Sequence, residues 1–228
     1  MVRDKVRIRF RKTGALRLVS HHDLMRCFER MLRRAELPFR STEGFNPKPR
    51  LVFALSLALG IIGCQEVVEL ELTEQLPVED IHARLARQAP AGLEILSVRR
   101  VDPRAQAQAR RVIYRLPLST EQQVGLPERL AALLRTDAYW VERVHPRPSR
   151  RDIRPYVRDL WLHDHHLYMD IAITPTGSAR PEEVARWLGL EDTLLAGAVW
   201  ERILLELHDE VGTAADSTVP ALVTGGDA

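Results

Sequence analysis

Val6, Ile8 and Phe10 alternate with Arg7 and Arg9, a period of two that predicts a half-buried strand. The period then changes. Ser20 stands where a helix cap belongs, and Leu24, Phe28, Met31, Leu32 and Ala35 follow at helical spacing, with Pro38 past the end. Residues 41–49, Ser-Thr-Glu-Gly-Phe-Asn-Pro-Lys-Pro, consist mostly of turn formers and predict a loop. The apolar run Leu51 to Leu59 predicts a strand buried on both faces. Gly60 to Cys64 predicts a turn, and Val67, Leu70 and Leu72 another strand. Pro77 opens a helix whose Ile81, Leu85 and Ala89 lie near one face. Pro90-Ala91-Gly92 ends it, and Leu93 to Val101 returns as a strand. The order β-α-β-β-α-β is that of a ferredoxin-like unit.

The second half follows a similar pattern. Arg111 to Leu118 predicts a strand, Thr120 to Leu134 a helix made imperfect by Gly125 and Pro127, and Tyr139 to Val144 a second strand. A basic, proline-containing loop spans His145 to Pro155. Strands around Leu160 and over Leu167–Ile173 form a hairpin through Asp164-His165, and Pro181 starts a short helix. Ala198 to Leu207 fits either period; read as a strand, it completes a second unit. The expected class is α+β, two tandem ferredoxin-like units packed together. They span residues 1–103 and 109–208, and a flexible tail spans 209–228.

Composition narrows the function classes. The 228 residues are 45% hydrophobic, enough for a real core and against disorder over most of the chain. The two cysteines, Cys27 and Cys64, are too few for a disulfide framework or a four-thiolate cluster. The first residues lack the apolar core of a signal peptide, and the longest apolar stretch, Leu51 to Cys64, is too short to span a membrane. A soluble cytoplasmic protein is expected, with no membrane partner.

The net charge of +2 conceals an uneven distribution. Residues 1–50 hold 14 basic and 5 acidic side chains, and residues 161–228 hold 3 basic and 12 acidic. Such asymmetry selects an anionic partner or marks a merely solvated basic face. Of the basic residues only Lys5, Lys12 and Lys48 are lysine, a skew that genomic base composition also produces.

The first helix and the loop after it carry the sharpest signal. Ser20 and Asp23 have capping-box spacing, which explains both without chemistry. At 100° per residue, His22, Arg26, Arg30, Arg33 and Arg34 share one stripe opposite the apolar set, while His21 points to the apolar side. Guanidiniums beside a helix N-terminus suit a phosphate backbone. The plain alternative is a solvated face partly neutralised by Glu29 and Glu36. Phe45 at the loop tip stacks on a base, plugs a partner's pocket or folds back on the core, and Asn46 and Lys48 accompany it. Arg17, Arg50 and Arg154 complete the candidate RNA contacts. His21 and His22 are the weak catalytic candidates. His163, His165 and His166 with Asp164 have the composition of a metal cluster, but a turn at Asp164-His165 makes their side chains diverge. No metal site is assigned.

Three segments together, Arg17-Leu-Val-Ser-His-His-Asp-Leu-Met-Arg26, Arg33-Arg-Ala-Glu-Leu-Pro38 and Gly44-Phe-Asn-Pro-Lys-Pro49, resemble the radical SAM-linked protein family. This is a domain of unknown function found alone or fused behind a radical SAM protein. The likeness continues through Leu59-Gly60 and Glu66 to Glu69, and Asp152-Ile153-Arg154-Pro155-Tyr156 resembles a later family motif. His22, Lys48 and Gly63 stand where the family usually has Leu, His and Ser; without the loop histidine, any mechanism needing it as acid or base loses its group.

The resemblance implies association with a radical SAM enzyme, which would itself hold the iron–sulfur cluster and S-adenosylmethionine; no cofactor is expected on this chain. Family members are often encoded near a ribonuclease and ribosomal proteins, which implies an RNA or ribosome-related substrate. Three functions compete. One is an accessory binding module acting through the arginine stripe and the 44–50 loop. Another is a metal-independent endoribonuclease with His21 or His22 as base. The third is a protein–protein adaptor.

Overall fold

The computed structural model describes residues 4–144 and 148–210. They fall into two mixed units of sheet and helix. The first holds the described residues up to Ala109 together with Leu207 to Glu210; the second holds Arg110 to Glu206. Among the described residues no helix is long and apolar enough to cross a membrane.

In the first unit, β1 (Asp4–Lys12) leads through a 3-10 turn (Gly14–Leu18) into α1 (His21–Arg34). Then come β2 (Leu51–Phe53), β3 (Ile62–Leu72), α2 (Val78–Gln88) and β4 (Leu93–Val101). The strands lie in the order β4-β1-β3-β2, every adjacent pair antiparallel. Val6, Ile8 and Phe10 on β1 meet Val68, Leu70 and Leu72 on β3, and α1 adds Leu24, Phe28, Met31 and Leu32 at its i, i+4, i+7, i+8 positions. Phe10, Phe28 and Phe53 close edge-to-face, with centroids 5.0–6.0 Å apart.

Ser20 caps α1 as expected. Its hydroxyl accepts from the Asp23 backbone N–H at 3.2 Å and donates to the Asp23 carboxylate at 2.7 Å. The helix ends where Glu36 turns to a positive φ and Pro38 follows.

The alternation in β1 predicted one wet face, yet both faces are buried. Arg7 is 1% exposed and Lys5 7%. Arg7 binds Glu69 through Nε at 3.1 Å and Nη2 at 2.7 Å. It also binds Asp209 at 2.8 and 2.9 Å and Glu210 at 2.8 Å. Arg9 and Arg99 hold the same Glu210. Periodicity reads side-chain polarity, and a charged side buried by partners from distant positions has the pattern of a wet one. Asp209 and Glu210, the first residues of the expected tail, therefore form part of this unit in a short 3-10 turn (His208–Glu210). The rest of that tail lies outside the described residues.

The apolar run Leu51 to Leu59 gives only three strand residues. Beyond Phe53 the chain bends, buries Leu57 and Ile61, exposes Leu59, and bonds the Gly60 N–H to the Arg17 carbonyl at 2.9 Å. An apolar run without a period does not say how far a strand extends.

The second unit opens with β5 (Ala109–Pro117). The expected single helix is two: α3 (Thr120–Gln123) and α4 (Leu126–Arg135), separated by Gly125 at φ +65° and restarted by Pro127 in the first turn. Next are β6 (Trp140–Arg143), β7 (Ser149–Asp152), β8 (Val157–His163), β9 (His166–Ala172), α5 (Pro181–Trp187), α6 (Glu191–Leu195) and β10 (Glu201–Leu207). The sheet order is β10-β5-β9-β8.

Two expectations are corrected here. The strand placed at Tyr139–Val144 does not join the sheet; β6 pairs with β7 as a separate ribbon, and β8 takes the edge position. In β6 only Val141 is buried, so it has no apolar stripe to lay on a core. The loop expected over His145 to Pro155 contains strand β7; residues 145–147 of it lie outside the described residues. The hairpin at Asp164-His165 is present, with φ of +45° and +58°. The ambiguous stretch before Leu207 is a strand.

Candidate nucleic-acid interface

α1 points four guanidiniums away from the core. His22, Arg26, Arg30, Arg33 and Arg34 are all exposed, because the opposite stripe is fixed by Leu24, Phe28, Met31 and Leu32. They are not equally available. Arg26 pairs with Asp23 at 3.2 Å, both well exposed. The Asp23 carboxyl is held below its usual range first by the Ser20 hydroxyl and further by Arg26. Arg33 lies over the Phe39 ring at 5.6 Å and donates to the Pro47 carbonyl at 3.5 Å. Arg34 donates to the Gln88 carbonyl at the end of α2 at 3.3 Å. Among the described residues the Arg30 side chain makes no hydrogen bond or ion pair.

The loop after α1 has a closed neck and an open tip. Ser41 and Pro49 form an isolated bridge. Thr42 N–H donates to the Lys48 carbonyl at 2.8 Å, and Lys48 N–H to the Thr42 hydroxyl at 3.1 Å. Gly44 takes a positive φ of 123°, and Phe45 stands fully in solvent. Asn46 and Lys48 are exposed beside it. The Arg33–Pro47 bond sets this loop against α1, so the arginine stripe and the Phe45 tip belong to one surface.

At the neck, Arg40 and Arg50 face one carboxylate, Glu71, at 3.4 and 3.7 Å. Backbone bonds hold them in place: Arg40 N–H to the Glu71 carbonyl at 2.8 Å, and Arg50 N–H to the Arg40 carbonyl at 2.8 Å. A pocket of about 130 Å³ opens there, lined by Asp4, Lys5, Arg40, Arg50, Glu71, Leu72 and Pro103. Arg40 was not among the residues the sequence singled out. It lies before the loop motif, and only the Ser41–Pro49 closure makes it a neighbour of Arg50.

His21 and His22 separate as their helical angles predict. His22 is exposed. His21 is half-buried, edge-on to Phe53 at 5.1 Å, and its Nδ1 is buried with no hydrogen-bond partner. Burial lowers its pKa below the usual histidine value, helped by the charges of His22 and Lys12, so it is neutral at pH 7. Lys12 is fully buried and donates to the Val19 carbonyl at 2.8 Å, which ties β1 to the start of α1. Arg17 lies in the 3-10 turn, its Nη1 on the Gly14 carbonyl at 3.1 Å.

Arg154 has a structural role of its own. It belongs to the second unit, and its guanidinium donates to three backbone carbonyls: Leu134 at 2.5 Å, Val157 at 2.6 Å and Thr136 at 3.1 Å. Two of these lie at the end of α4, so the side chain fastens a helix terminus, and three of its five N–H donors are spent on the protein. The histidines of the β8–β9 turn diverge: His165 meets Gln123 at 2.9 Å, His166 the Asp164 carbonyl at 2.6 Å, and His163 the Asp164 carboxylate at 3.2 Å. Among the described residues no group of three or more His, Cys, Asp or Glu side chains could hold a metal ion.

No curated protein matches the chain. A solved structure of an unknown protein from Galdieria sulphuraria is similar at 14% identity and a TM-score of 0.27, over 90% of this chain and 99% of that one. A putative glycine cleavage system transcriptional repressor is similar at 9% identity and a TM-score of 0.26, over 89% and 99%. Both scores are too low for a shared fold to follow. A family model described as an uncharacterized protein conserved in bacteria (DUF2344) matches residues 5–181, which include every candidate residue above. The chain belongs to that family.

Proposed function

We propose that this protein is a binding module that takes RNA, or a ribosome-related substrate, on the α1 face and the 41–49 loop, working with a radical SAM enzyme in the cytoplasm. One observation carries the reading. His22, Arg26, Arg30, Arg33 and Arg34 form an exposed row on α1, and the fully exposed Phe45 stands on the loop that Arg33 holds against it. Guanidiniums track phosphates, and an exposed ring stacks on an unpaired base. Single-stranded RNA suits this pairing better than a duplex, whose bases are already stacked. The radical SAM partner rests on the resemblance of the 17–26, 33–38 and 44–49 segments alone. The same reading takes each unit as ferredoxin-like, supported by the strand orders β4-β1-β3-β2 and β10-β5-β9-β8 around two helical connections.

The test is RNA binding by the purified protein across a salt series. Four phosphate contacts give a slope of about −3 in log affinity against log salt for a single strand. Changing Arg26, Arg30, Arg33 and Arg34 to Glu removes binding and slope together. If neither protein binds at low salt, the module reading fails and a protein-binding adaptor takes its place.

A second reading has one specific observation in its favour. The neutral His21, with its unpartnered buried Nδ1, has the protonation state a general base requires. RNA cleavage that is lost in His21→Ala, and unaffected by chelators, would replace the binding module with a metal-independent endoribonuclease.

A further inference from the structure

We propose that the pocket at the neck of the 41–49 loop is a subsite for a phosphate monoester, gripped by Arg40 and Arg50. The charges around it are unequally committed. Lys5 donates to the Ala105 carbonyl at 2.7 Å and meets Glu69 at 3.4 Å. Asp4 is taken by Arg100, whose Nε and Nη2 lie 2.9 and 3.2 Å from its two oxygens. That leaves two guanidiniums against the single carboxylate of Glu71, a surplus of one positive charge.

Those two ion pairs are also loose. Charge-assisted bonds between guanidinium and carboxylate close to about 2.7–2.9 Å. Here the separations are 3.4 and 3.7 Å, so neither arginine is saturated by Glu71. Arg50 Nε is buried and has no acceptor at all. A desolvated donor without a partner is destabilising, so Arg50 gains by shifting its guanidinium toward an acceptor oxygen that a ligand supplies.

The ligand must bring several oxygens to two planar forks in a small space. A tetrahedral anion does so, since each guanidinium can meet two of its oxygens. The pocket, about 130 Å³ and walled by Leu72 and Pro103, has room for such a group. A monoester enters a concave pocket by its free oxygens and leaves by one ester link, whereas a diester needs two exits. Its position at the loop neck makes the end of an RNA held by Phe45 and α1 one source of the group; free phosphate or a small phosphorylated metabolite is the other. Only the choice of the RNA end rests on the function proposed above.

The experiment uses the full chain and three probes: inorganic phosphate, and one oligoribonucleotide with either a 5′-phosphate or a 5′-hydroxyl. Binding of inorganic phosphate is read from chemical-shift changes of the Arg40 and Arg50 side chains. Arg50→Gln and Arg40→Gln each weaken it about tenfold or more, as expected for loss of a charged hydrogen bond. Glu71→Gln strengthens it, because the competing carboxylate is gone. That gain is not a consequence of misfolding, so it protects the test from a damaged arginine variant.

If the 5′-phosphorylated oligonucleotide also binds more tightly than its hydroxyl twin, and Arg50→Gln erases the difference, the group comes from an RNA end. If inorganic phosphate binds but the two oligonucleotides are equal, the subsite serves a free or small-molecule phosphate. Arg30→Glu with Arg34→Glu removes oligonucleotide binding and leaves inorganic phosphate binding intact, which separates failure of the RNA reading from failure of the subsite. No phosphate binding by wild type, or no gain in Glu71→Gln, overturns the proposal.

Discussion

Replacing Arg7 with Met should be among the most damaging single changes in this protein. Arg7 makes five hydrogen bonds to three carboxylates from inside the sheet. The carboxylates differ in what they lose. Asp209 is 43% exposed and returns to water, and Glu210 keeps Arg9 and Arg99. Glu69 has a side chain 1% exposed and keeps the longer, 3.4 Å contact with Lys5. The penalty is therefore mostly that of a buried carboxylate stripped of its main partner, about 3–5 kcal/mol. That is a fifth or more of the stability of a typical domain, about 5–15 kcal/mol. The double change Asp209→Asn with Glu210→Gln keeps the Arg7–Glu69 pair and should cost less, about 1–3 kcal/mol for the weakened charged bonds.

Urea unfolding of the three proteins at pH 7 measures both numbers. A loss below about 1 kcal/mol for Arg7→Met, or a larger loss for the double variant, would refute the reasoning. The pH dependence has a definite sign. The Arg7 hydrogen bond lowers the Asp209 pKa, and Arg7 with Arg99 lowers that of Glu210 although burial opposes it. Their stabilisation is complete above the usual carboxylate range and is lost as pH falls through the depressed values, below about pH 4. Wild type should show that acid loss and Arg7→Met a flatter profile.

Three further outcomes follow from the same structure. Gly92 sits at φ +86°, and a Cβ there would lie 2.6 Å from the Thr13 carbonyl, so Gly92→Ala should cost about 2 kcal/mol or more. Gly125→Ala, with open space at φ +65°, should cost about 1 kcal/mol; thermal unfolding compares the two. The imidazole of His21, followed by NMR, should titrate below the ordinary histidine value. Phe53→Ala, which lets water reach the ring, should move it upward; a higher-than-ordinary midpoint in wild type would contradict the burial argument. Arg154→Met should destabilise by about 1–3 kcal/mol and leave RNA affinity unchanged, while Arg30→Ala should do the opposite.

Much of the outline was legible along the chain. The stripe Leu24, Phe28, Met31, Leu32 and the Ser20 cap announce α1, and the same arithmetic puts four arginines outside and His21 inside. These are local properties: a helix repeats every 3.6 residues, and a cap acts across three. Gly125 and Pro127 marked a weak point in what was expected to be one helix, and the structure breaks it there. Whether Phe45 was exposed, and that Arg40 and Arg50 meet over Glu71, depended on how the loop neck closes on β3. Arg7 and Arg154 looked like surface cations because polarity alone cannot distinguish a charge facing water from one facing Asp209 or the end of α4. β6 was misplaced because an alternating four-residue segment fits a ribbon as well as a sheet edge. Local backbone preferences and side-chain periods reside in the sequence. The partners of buried charges, the neighbours of a loop and the company a strand keeps are long-range contacts, some more than 200 residues apart in the chain, and they exist once the chain has folded.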